Sequence, residues 1–501
     1  MKLDDIYREQ VETPLLGYHP VSSSVKPVHV ANGIFRALLG TGPRLTAFHD
    51  TLVRYKKGAE IKTADQLANL YGEALFGEFA KPKNRERLNL LREYLRSTFA
   101  TDGAVFPDAR HSSYTLTHRT LITPDTNDFG TGKFIAAILM RDNGDGPSPL
   151  IRVIRALLED ETDEFTTIAI PLIRQANLSQ SVVTPQAPEN VMQESPSPIL
   201  SAARLGFDAI AAHAEPHLRG SKLQILRYIG MFSCLIVYLH LINRNRETNT
   251  NASSIVRHLF IPLLADFDST STPRIRYASQ STYRSAIKQI ENMILNGFKE
   301  YLEREHSGID DQTAEDILLH IELPRQEKQD EKEQKQARAL FKSTYNAYRA
   351  KGIDVSTSLS AAMTDTFYKD RSATPDNFAR GLGIRAGFVV PAANRAIDKY
   401  YTLTPDLIEV LVLSVTNPAE EGKESVTFTE LARRLRERYG ILTGALPDDY
   451  DYLSDEGIQD ADHDDLEQNA LAFQQVLVDI GKAREYADGV AVIRAAIGDL
   501  L

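Results

Sequence analysis

The chain of 501 residues contains no tryptophan and a single cysteine, Cys234. One cysteine cannot form an intramolecular disulfide bond, and it cannot supply a cluster of thiolate metal ligands. The amino-terminal residues also lack an apolar stretch of the kind found in secretory signal peptides. We therefore expect a protein of the reducing cytoplasm, without a disulfide framework.

A long apolar run is missing as well. The longest, from Tyr228 to Ile242, has 15 residues, whereas a helix needs about 20 to cross a bilayer. We therefore predict a buried core helix here, with His240 as a core histidine, and no membrane partner. Hydrophobic residues make up 42% of the chain and charged residues 25%, which are ordinary proportions for a soluble globular protein.

Patterns typical of β-strands are few, so we predict a mainly α, multi-domain helical protein with a C-terminal winged-helix domain. Helices are expected over 65–79, 85–99, 132–140, 149–158 and 334–350. The predicted division is an N-terminal helical domain over 1–175, a Pro/Ser/Gln-rich linker or loop over 176–199, a middle helical domain over 200–323, a charged helical connector over 324–400, and the winged helix over 401–501.

The last hundred residues carry the pattern of a winged helix. Thr427 and Glu430 have the S/T-x-x-E spacing of a capping box, and Gly440 is a helix stop. Asp488-Gly489 separates two short strand candidates, as expected for a two-residue hairpin turn. The predicted elements are helices over 405–415, 427–439 and 466–480, followed by strands over 483–487 and 490–494.

Residues 445–467 contain ten Asp or Glu and no Lys or Arg, and we call this stretch the acidic segment. Residues 445–501 together carry a net charge of −11, which equals that of the whole chain. Such runs are usually solvated, mobile loops; alternatively, this one is a docking surface for a basic partner or a guard that mimics DNA. The candidate partner-binding residues are Asp448, Asp449, Asp451, Asp455, Asp460, Asp462, Asp464 and Asp465.

Two groups of basic residues are candidate nucleic-acid contacts. For the arginines of the second winged-helix helix, the alternatives are solvated side chains or ion pairs with the acidic segment. For the basic residues further upstream, ordinary surface arginines at the start of a helix explain the pattern equally well, although Ser279, Ser281 and Thr282 could add hydrogen bonds to phosphate. The groups are Arg433, Arg434, Arg436 and Arg438 in the second winged-helix helix, and Arg274, Arg276, Arg284 and Lys288 further upstream.

Several motifs come close to known sites without matching them. Gly130-Thr-Gly-Lys133 lacks the first glycine and the Ser or Thr of a phosphate loop. His213 and His217 have helical spacing, but Pro216 intrudes and no third zinc ligand is evident. In the acidic segment, Asp465 stands where a calcium loop needs glycine. We therefore expect no cofactor and no metal, and we single out no catalytic residue.

A resemblance covers residues 391–444. The run 404–413, followed by 428–440, resembles a segment of accessory proteins from bacterial phage-defence islands, including phosphorothioation-dependent restriction systems. The resemblance implies an accessory subunit that works beside a separate ATPase or nuclease, and it assigns no functional residue. We thus expect a non-catalytic scaffold of an anti-phage complex that docks protein or DNA. The alternatives are a sequence-specific DNA-binding regulator and an enzyme whose active site is unrecognised.

Overall fold

The computed structural model describes residues 2–21, 24–40, 81–84, 86–87, 89–90, 116–123, 126–142, 144, 146–163, 166–167, 197–218, 221–249, 258–267, 273–306, 308–324, 331–370, 374–392, 398–418, 425–486 and 491–494. The predicted helix over 65–79, most of the one over 85–99 and most of the 176–199 linker lie outside these residues. The described part is mainly helical, as predicted.

The helices of the described residues are found from the amino-terminal to the carboxyl-terminal region, and a π-helix, Arg8–Leu16, continues the first of them. They are α1 Leu3–Tyr7, α2 Pro27–Leu39, α3 Thr131–Met140, α4 Leu150–Glu159, α5 Pro198–Ala214, α6 Lys222–Asn249, α7 Pro273–Glu305, α8 Asp311–His320, α9 Glu331–Arg349, α10 Val355–Asp370, α11 Pro375–Ala386, α12 Pro405–Val415, α13 Phe428–Tyr439, α14 Asp449–Asp455 and α15 His463–Asp479.

The strands are short and occur in three small sheets. Strands β1 and β5 pair in parallel, β2 and β3 pair antiparallel, and the third sheet is antiparallel with β7 between β4 and β6. They are β1 Leu263–Leu264, β2 Val389–Val390, β3 Tyr400–Tyr401, β4 Ser425–Thr427, β5 Ile441–Leu442, β6 Ala483–Glu485 and β7 Ala491–Arg494.

Helix α6 lies at the centre of the fold and packs against α2, α5, α7, α11 and α12. It is long and apolar enough to span a membrane, but 94% of its apolar window is buried inside the protein. His240, on this helix, is fully buried, and burial lowers the pKa of its imidazole to about 3. The run 228–242 is therefore part of a core helix, as its length predicts.

One continuous apolar cluster extends from Leu3 in α1 to Ile493 in β7. It therefore includes side chains from each of the three predicted domains and from the predicted connector, and the domain boundaries themselves stay a prediction. Ser197 marks the described start of the middle region, where its hydroxyl accepts a hydrogen bond from Leu200 N at 3.2 Å and caps α5.

The carboxyl-terminal elements begin and end close to where local signals place them. Helix α12 has the predicted bounds, and Thr427 caps α13 by accepting a hydrogen bond from Glu430 N at 3.2 Å. Helix α15 begins three residues earlier than predicted, because Asp462 and Asp465 form a capping box. The predicted turn at 488–489 lies outside the described residues.

Candidate interface of the acidic segment

The acidic segment is folded and packed against the rest of the protein. Its residues 449–455 form α14, in which Asp449, Tyr452 and Leu453 are buried while Asp451 is exposed. Buried positions three and four apart lie on one face of a helix. The interpretation as a solvated, mobile loop is therefore wrong.

An apolar cluster beneath the acidic segment anchors it. Tyr452, Leu453 and Ile458 pack there with side chains from β1, β5 and α7. The Tyr452 hydroxyl also donates a hydrogen bond to Phe260 O at 2.5 Å. The parallel pairing of β1 with β5 brings residues 258–267 to this place. Apolar burial, which is the main favourable term in folding, therefore holds the acidic segment in position.

The charges of the acidic segment meet basic groups that lie far away in sequence. Arg246 donates two hydrogen bonds to the Glu456 carboxylate, at 2.7 and 2.9 Å. The same guanidinium donates to His258 O and Phe260 O, and His258 Nε2 lies 3.1 Å from Asp455 Oδ2. Arg246 therefore binds the Glu456 carboxylate through Nη2 and the backbone of residues 258–260 through Nη1, and hydrogen bonds between charged groups are stronger than those between neutral groups.

Two further contacts attach the end of the acidic segment to α7. Arg274 Nη1 donates to Asp462 Oδ2 at 2.9 Å, and Ser281 Oγ donates to Asp460 Oδ2 at 2.6 Å. Both contacts are solvent-exposed. An exposed ion pair such as Arg274–Asp462 contributes about 0–1 kcal/mol. These two contacts therefore help to fix the position of the acidic segment on α7 and contribute little to stability.

Asp449 is the one carboxylate of α14 that is almost fully buried, with 1% of its surface exposed. Its Oδ2 accepts hydrogen bonds from Gly444 N and Leu446 N, and its Oδ1 lies 3.2 Å from Arg436 Nη1. Burial nevertheless raises the pKa of this carboxyl to about 6. Arg436 also bonds Asp448 at 2.6 Å, so it joins α13 to the acidic segment.

Most of the predicted partner-binding aspartates are thus engaged within the chain. Asp448, Asp449, Asp455, Asp460, Asp462 and Asp465 contact Arg436, His258, Ser281 or Arg274. Asp451 and Asp464 point outward and are exposed. Sequence reasoning missed the receiving groups Arg246 and His258, because nothing local relates them to a segment about 200 residues away.

The four arginines of α13 are also engaged within the chain. Arg433 bonds Glu430 and Glu437, while Arg434 bonds Glu430 and Val415 O. Arg438 donates to Ser414 O at 2.9 Å. The hydrogen bond from Arg433, which has the largest effect, and the one from Arg434 lower the pKa of the Glu430 carboxyl to about 2. Arg434 and Arg438 thus donate hydrogen bonds to carbonyl oxygens at the carboxyl end of α12. The last carbonyls of a helix have no partner within the helix, so these two arginines stabilise the end of α12.

The basic residues of α7 have carboxylate partners too. Arg276 lies 3.4 Å from the buried Asp266 and over the ring of Tyr400. Arg284 pairs with Asp398 and Lys288 with Glu291, each at 2.7 Å. Two of the predicted phosphate donors, Ser279 and Thr282, are fully buried and cannot reach a phosphate.

Helix α15 presents a different surface. Its sequence contains no Lys or Arg, and Leu471 is 53% exposed. Gln474 bonds Glu485 of β6 at 2.8 Å, so the sheet lies beside this helix. The exposed positions of α15 are His463, Asp464, Glu467, Gln468, Leu471, Gln475 and Asp479, and together they form a surface that we call the α15 face.

The near-miss motifs have structural explanations. Asp128 Oδ2 accepts a hydrogen bond from Gly132 N at 3.0 Å, so a carboxylate occupies the amino end of α3 where a phosphate loop would hold phosphate. His213 Nε2 lies 2.9 Å from Thr416 Oγ1, and burial lowers the pKa of this imidazole to about 4. In the described part of the chain, no three His, Cys, Asp or Glu residues are grouped so as to hold a metal ion.

Comparisons with protein-family models, with curated proteins and with solved structures gave no match to this chain.

Proposed function

We propose that the chain is a non-catalytic, cytoplasmic interaction subunit whose carboxyl-terminal winged helix docks a basic protein partner through the α15 face. The observation that carries this proposal is the composition of that face, which combines carboxylates with one exposed leucine and has no Lys or Arg. The helical body, with its central α6, serves as the scaffold that holds the docking module.

The order of the carboxyl-terminal elements supports the winged helix. Helix α12, strand β4, helices α13 and α15, and strands β6 and β7 follow one another in the order typical of that fold. The last strand lies between the other two in an antiparallel sheet, which is also typical. In this proposal, β5 and α14 are additions between the second and third helices, and they join the module to residues 258–267.

The charge of α15 favours protein over DNA as the partner. In DNA-reading helix-turn-helix proteins the second helix of the motif enters the major groove, and here that helix is α15. Phosphate neutralisation by Lys or Arg supplies much of the affinity for DNA. Asp464, Glu467 and Asp479 would instead repel the backbone, and the arginines of α13 already have partners within the chain.

The same face fits a basic protein surface. Protein interfaces combine an apolar anchor at the centre with a polar rim. Leu471 supplies the anchor, and the surrounding carboxylates select Lys or Arg on the partner and steer its approach. The partner we propose therefore has an apolar pocket with cations around it.

The resemblance of residues 391–444 supports a place for this subunit in a bacterial anti-phage complex, beside an ATPase or nuclease. A deletion of the gene in its native cell is then expected to raise the efficiency of phage plating. Unchanged plating with every phage tested would contradict the defence role while leaving the docking face to be judged by the binding experiment below.

That binding experiment compares Leu471→Asp with Leu340→Asp, a matched change at another exposed helical leucine, on α9 (51% exposed). The full chain is purified by affinity from its native cell, and co-purifying proteins are identified and then tested as purified pairs. We expect Leu471→Asp to weaken the direct pairwise affinity at least about tenfold, since a charge placed in an apolar anchor is costly, and Leu340→Asp to leave it unchanged.

DNA binding is measured on the same proteins by fluorescence anisotropy, with a short duplex at low and at moderate salt. We expect no binding in either condition. Salt-dependent DNA binding that is lost on neutralising Arg433, Arg434, Arg436 and Arg438 would overturn the proposal in favour of a DNA-binding regulator.

A further inference from the structure

A cavity of about 450 Å³ lies between α1, the carboxyl end of α7, α8 and α10. A cavity of about 150 Å³ is enough to hold benzene, and ligand pockets commonly measure about 300–1,000 Å³. The proposed docking function does not use this cavity. Its size suits a small organic molecule.

The floor of the cavity is apolar. Ile6, Leu302, Ile321 and Met363 line it, and each is 5% exposed or less. Tyr301, at the end of α7, adds an aromatic side chain to the lining. An apolar group placed on this floor leaves water, which is favourable.

The polar lining on α8 offers hydrogen-bond acceptors. The Thr313 hydroxyl donates its proton to Asp310 Oδ1 at 2.7 Å, so its oxygen is left as an acceptor. His320 Nδ1 lies 2.8 Å from Asp316 O. Since a carbonyl oxygen only accepts, Nδ1 carries the proton, and Nε2 of the neutral ring is an acceptor. The Asp316 carboxyl group completes this set.

No Lys or Arg is among the residues that line the cavity. Cations on the same helices or beside them are engaged elsewhere. Arg304 Nε lies 3.2 Å from Glu305 Oε1, and Lys342 Nζ lies 3.1 Å from Glu315 Oε1. Arg338 of α9 donates to Leu318 O at 2.9 Å and to Ile321 O at 3.0 Å. An anionic ligand would therefore face the Asp316 carboxylate with no Lys or Arg in the lining to compensate for the repulsion. A cationic donor would find acceptors on α8.

We propose that this cavity binds a small ammonium ion with an apolar body. The ammonium group lies at Asp316, with Thr313 Oγ1 and His320 Nε2 as further acceptors. The apolar body lies on the floor, against Ile6, Leu302 and Met363. The charge-assisted hydrogen bond selects the cation, and burial of the body supplies the rest of the affinity.

The test uses three probes of equal shape and different charge: 2-phenylethylamine, 2-phenylethanol and phenylacetate, each titrated calorimetrically into the full chain. The rim is solvent-exposed, so the charge preference is modest. We expect the amine to bind about three- to tenfold more tightly than the alcohol, and phenylacetate to bind more weakly than both.

The matched variants are Asp316→Asn at the cavity and Glu315→Gln, which removes a neighbouring carboxylate of α8 that is not part of the lining. Asp316→Asn is expected to abolish the preference for the amine and to keep the affinity for the alcohol, which shows that the cavity is intact. Glu315→Gln is expected to change neither. The proposal is overturned if neither amine nor alcohol binds, if phenylacetate binds as tightly as the amine, or if the preference survives Asp316→Asn.

Discussion

The imidazole ring of His258 stacks on the phenol ring of Tyr452, with centroids 3.6 Å apart and planes 19° from parallel. The Tyr452 hydroxyl reaches on to Phe260 O, and Arg246 donates to the same carbonyl oxygen. A ring stack and two hydrogen bonds to one carbonyl oxygen therefore join the acidic segment to residues 258–267. The acidic segment is a structural part of the protein, and only its outer carboxylates face solvent.

The first prediction concerns the packing of Tyr452. Tyr452→Ala is expected to lower the free energy of unfolding by about 3–5 kcal/mol, as for other large aromatic truncations in a core. Tyr452→Phe should cost about 0.5–1.5 kcal/mol, since Phe260 O keeps its bond from Arg246. Tyr277→Ala, at an exposed tyrosine, is the control and should change stability by less than about 0.5 kcal/mol. Urea unfolding measures all three, and equal effects at 452 and 277 would contradict the packing.

The second prediction compares two ion pairs that share a 2.7 Å contact and differ in exposure. The side chains of Arg246 and Glu456 are 12% and 17% exposed, whereas those of Arg284 and Asp398 are 59% and 61% exposed. Double-mutant cycles with Met for Arg and the amide for the acid are expected to give a coupling energy of about 1–3 kcal/mol for the first pair. For the second pair we expect below about 1 kcal/mol, falling further in high salt. Similar coupling energies in both cycles would contradict this ranking.

Local signals in the sequence were enough to place α12 and α13. Pro405 suits the first turn of a helix, the Thr427 hydroxyl caps α13, and Gly440 ends it with φ = 69°. Each of these signals depends on residues within one or two turns. They act the same way whatever the rest of the chain does, so a single sequence reveals them.

The prediction of a solvated loop for the acidic segment is wrong because it depends on the charges alone. It does not consider the spacing of the apolar residues among them. Tyr452, Leu453 and Ile458 are the apolar residues that anchor the acidic segment, and they were visible in the sequence among the aspartates. Asp462 and Asp465, which the sequence analysis interprets as partner-binding charges, form the capping box of α15. The contacts to Arg246 and His258 follow from the β1–β5 pairing, whose register joins Leu263 to Ile441; no local pattern predicts a pairing over that separation.

The third prediction concerns the pH dependence that Asp449 contributes. Its pKa is raised to about 6, against about 3.9 in an unfolded chain, so the folded protein binds the proton more tightly. The contribution of Asp449 to stability is therefore largest below about pH 4 and is lost as the pH rises towards 6. The difference in unfolding free energy between wild type and Asp449→Asn should grow in favour of wild type by up to about 3 kcal/mol from pH 7 to pH 4.

Asp451→Asn is the matched control for this titration, because Asp451 is an exposed carboxylate on the same helix. The difference for Asp449→Asn should change over this pH range by more than the difference for Asp451→Asn. Urea unfolding at several pH values gives both curves. A pH-independent difference for Asp449→Asn would show that this carboxyl is not perturbed by burial.

The last prediction concerns the glycines at which α2 and α3 touch. A Cβ atom added to Gly132 would lie 2.2 Å from the backbone carbon of Gly33, which is far inside van der Waals contact. Alanine is favoured over glycine in a helix by about 1 kcal/mol, but overpacking a close helix contact costs about 1–3 kcal/mol or more. Since both backbones would have to move, we expect the steric cost to exceed the gain in helix propensity. Gly132→Ala should then lower the unfolding free energy by about 2 kcal/mol.

The control is Lys133→Ala, one residue along the same helix and half-buried, which should change the unfolding free energy by less than about 1 kcal/mol. Thermal or urea unfolding measures both, and a stabilising Gly132→Ala would mean that the two helices do not approach closely there.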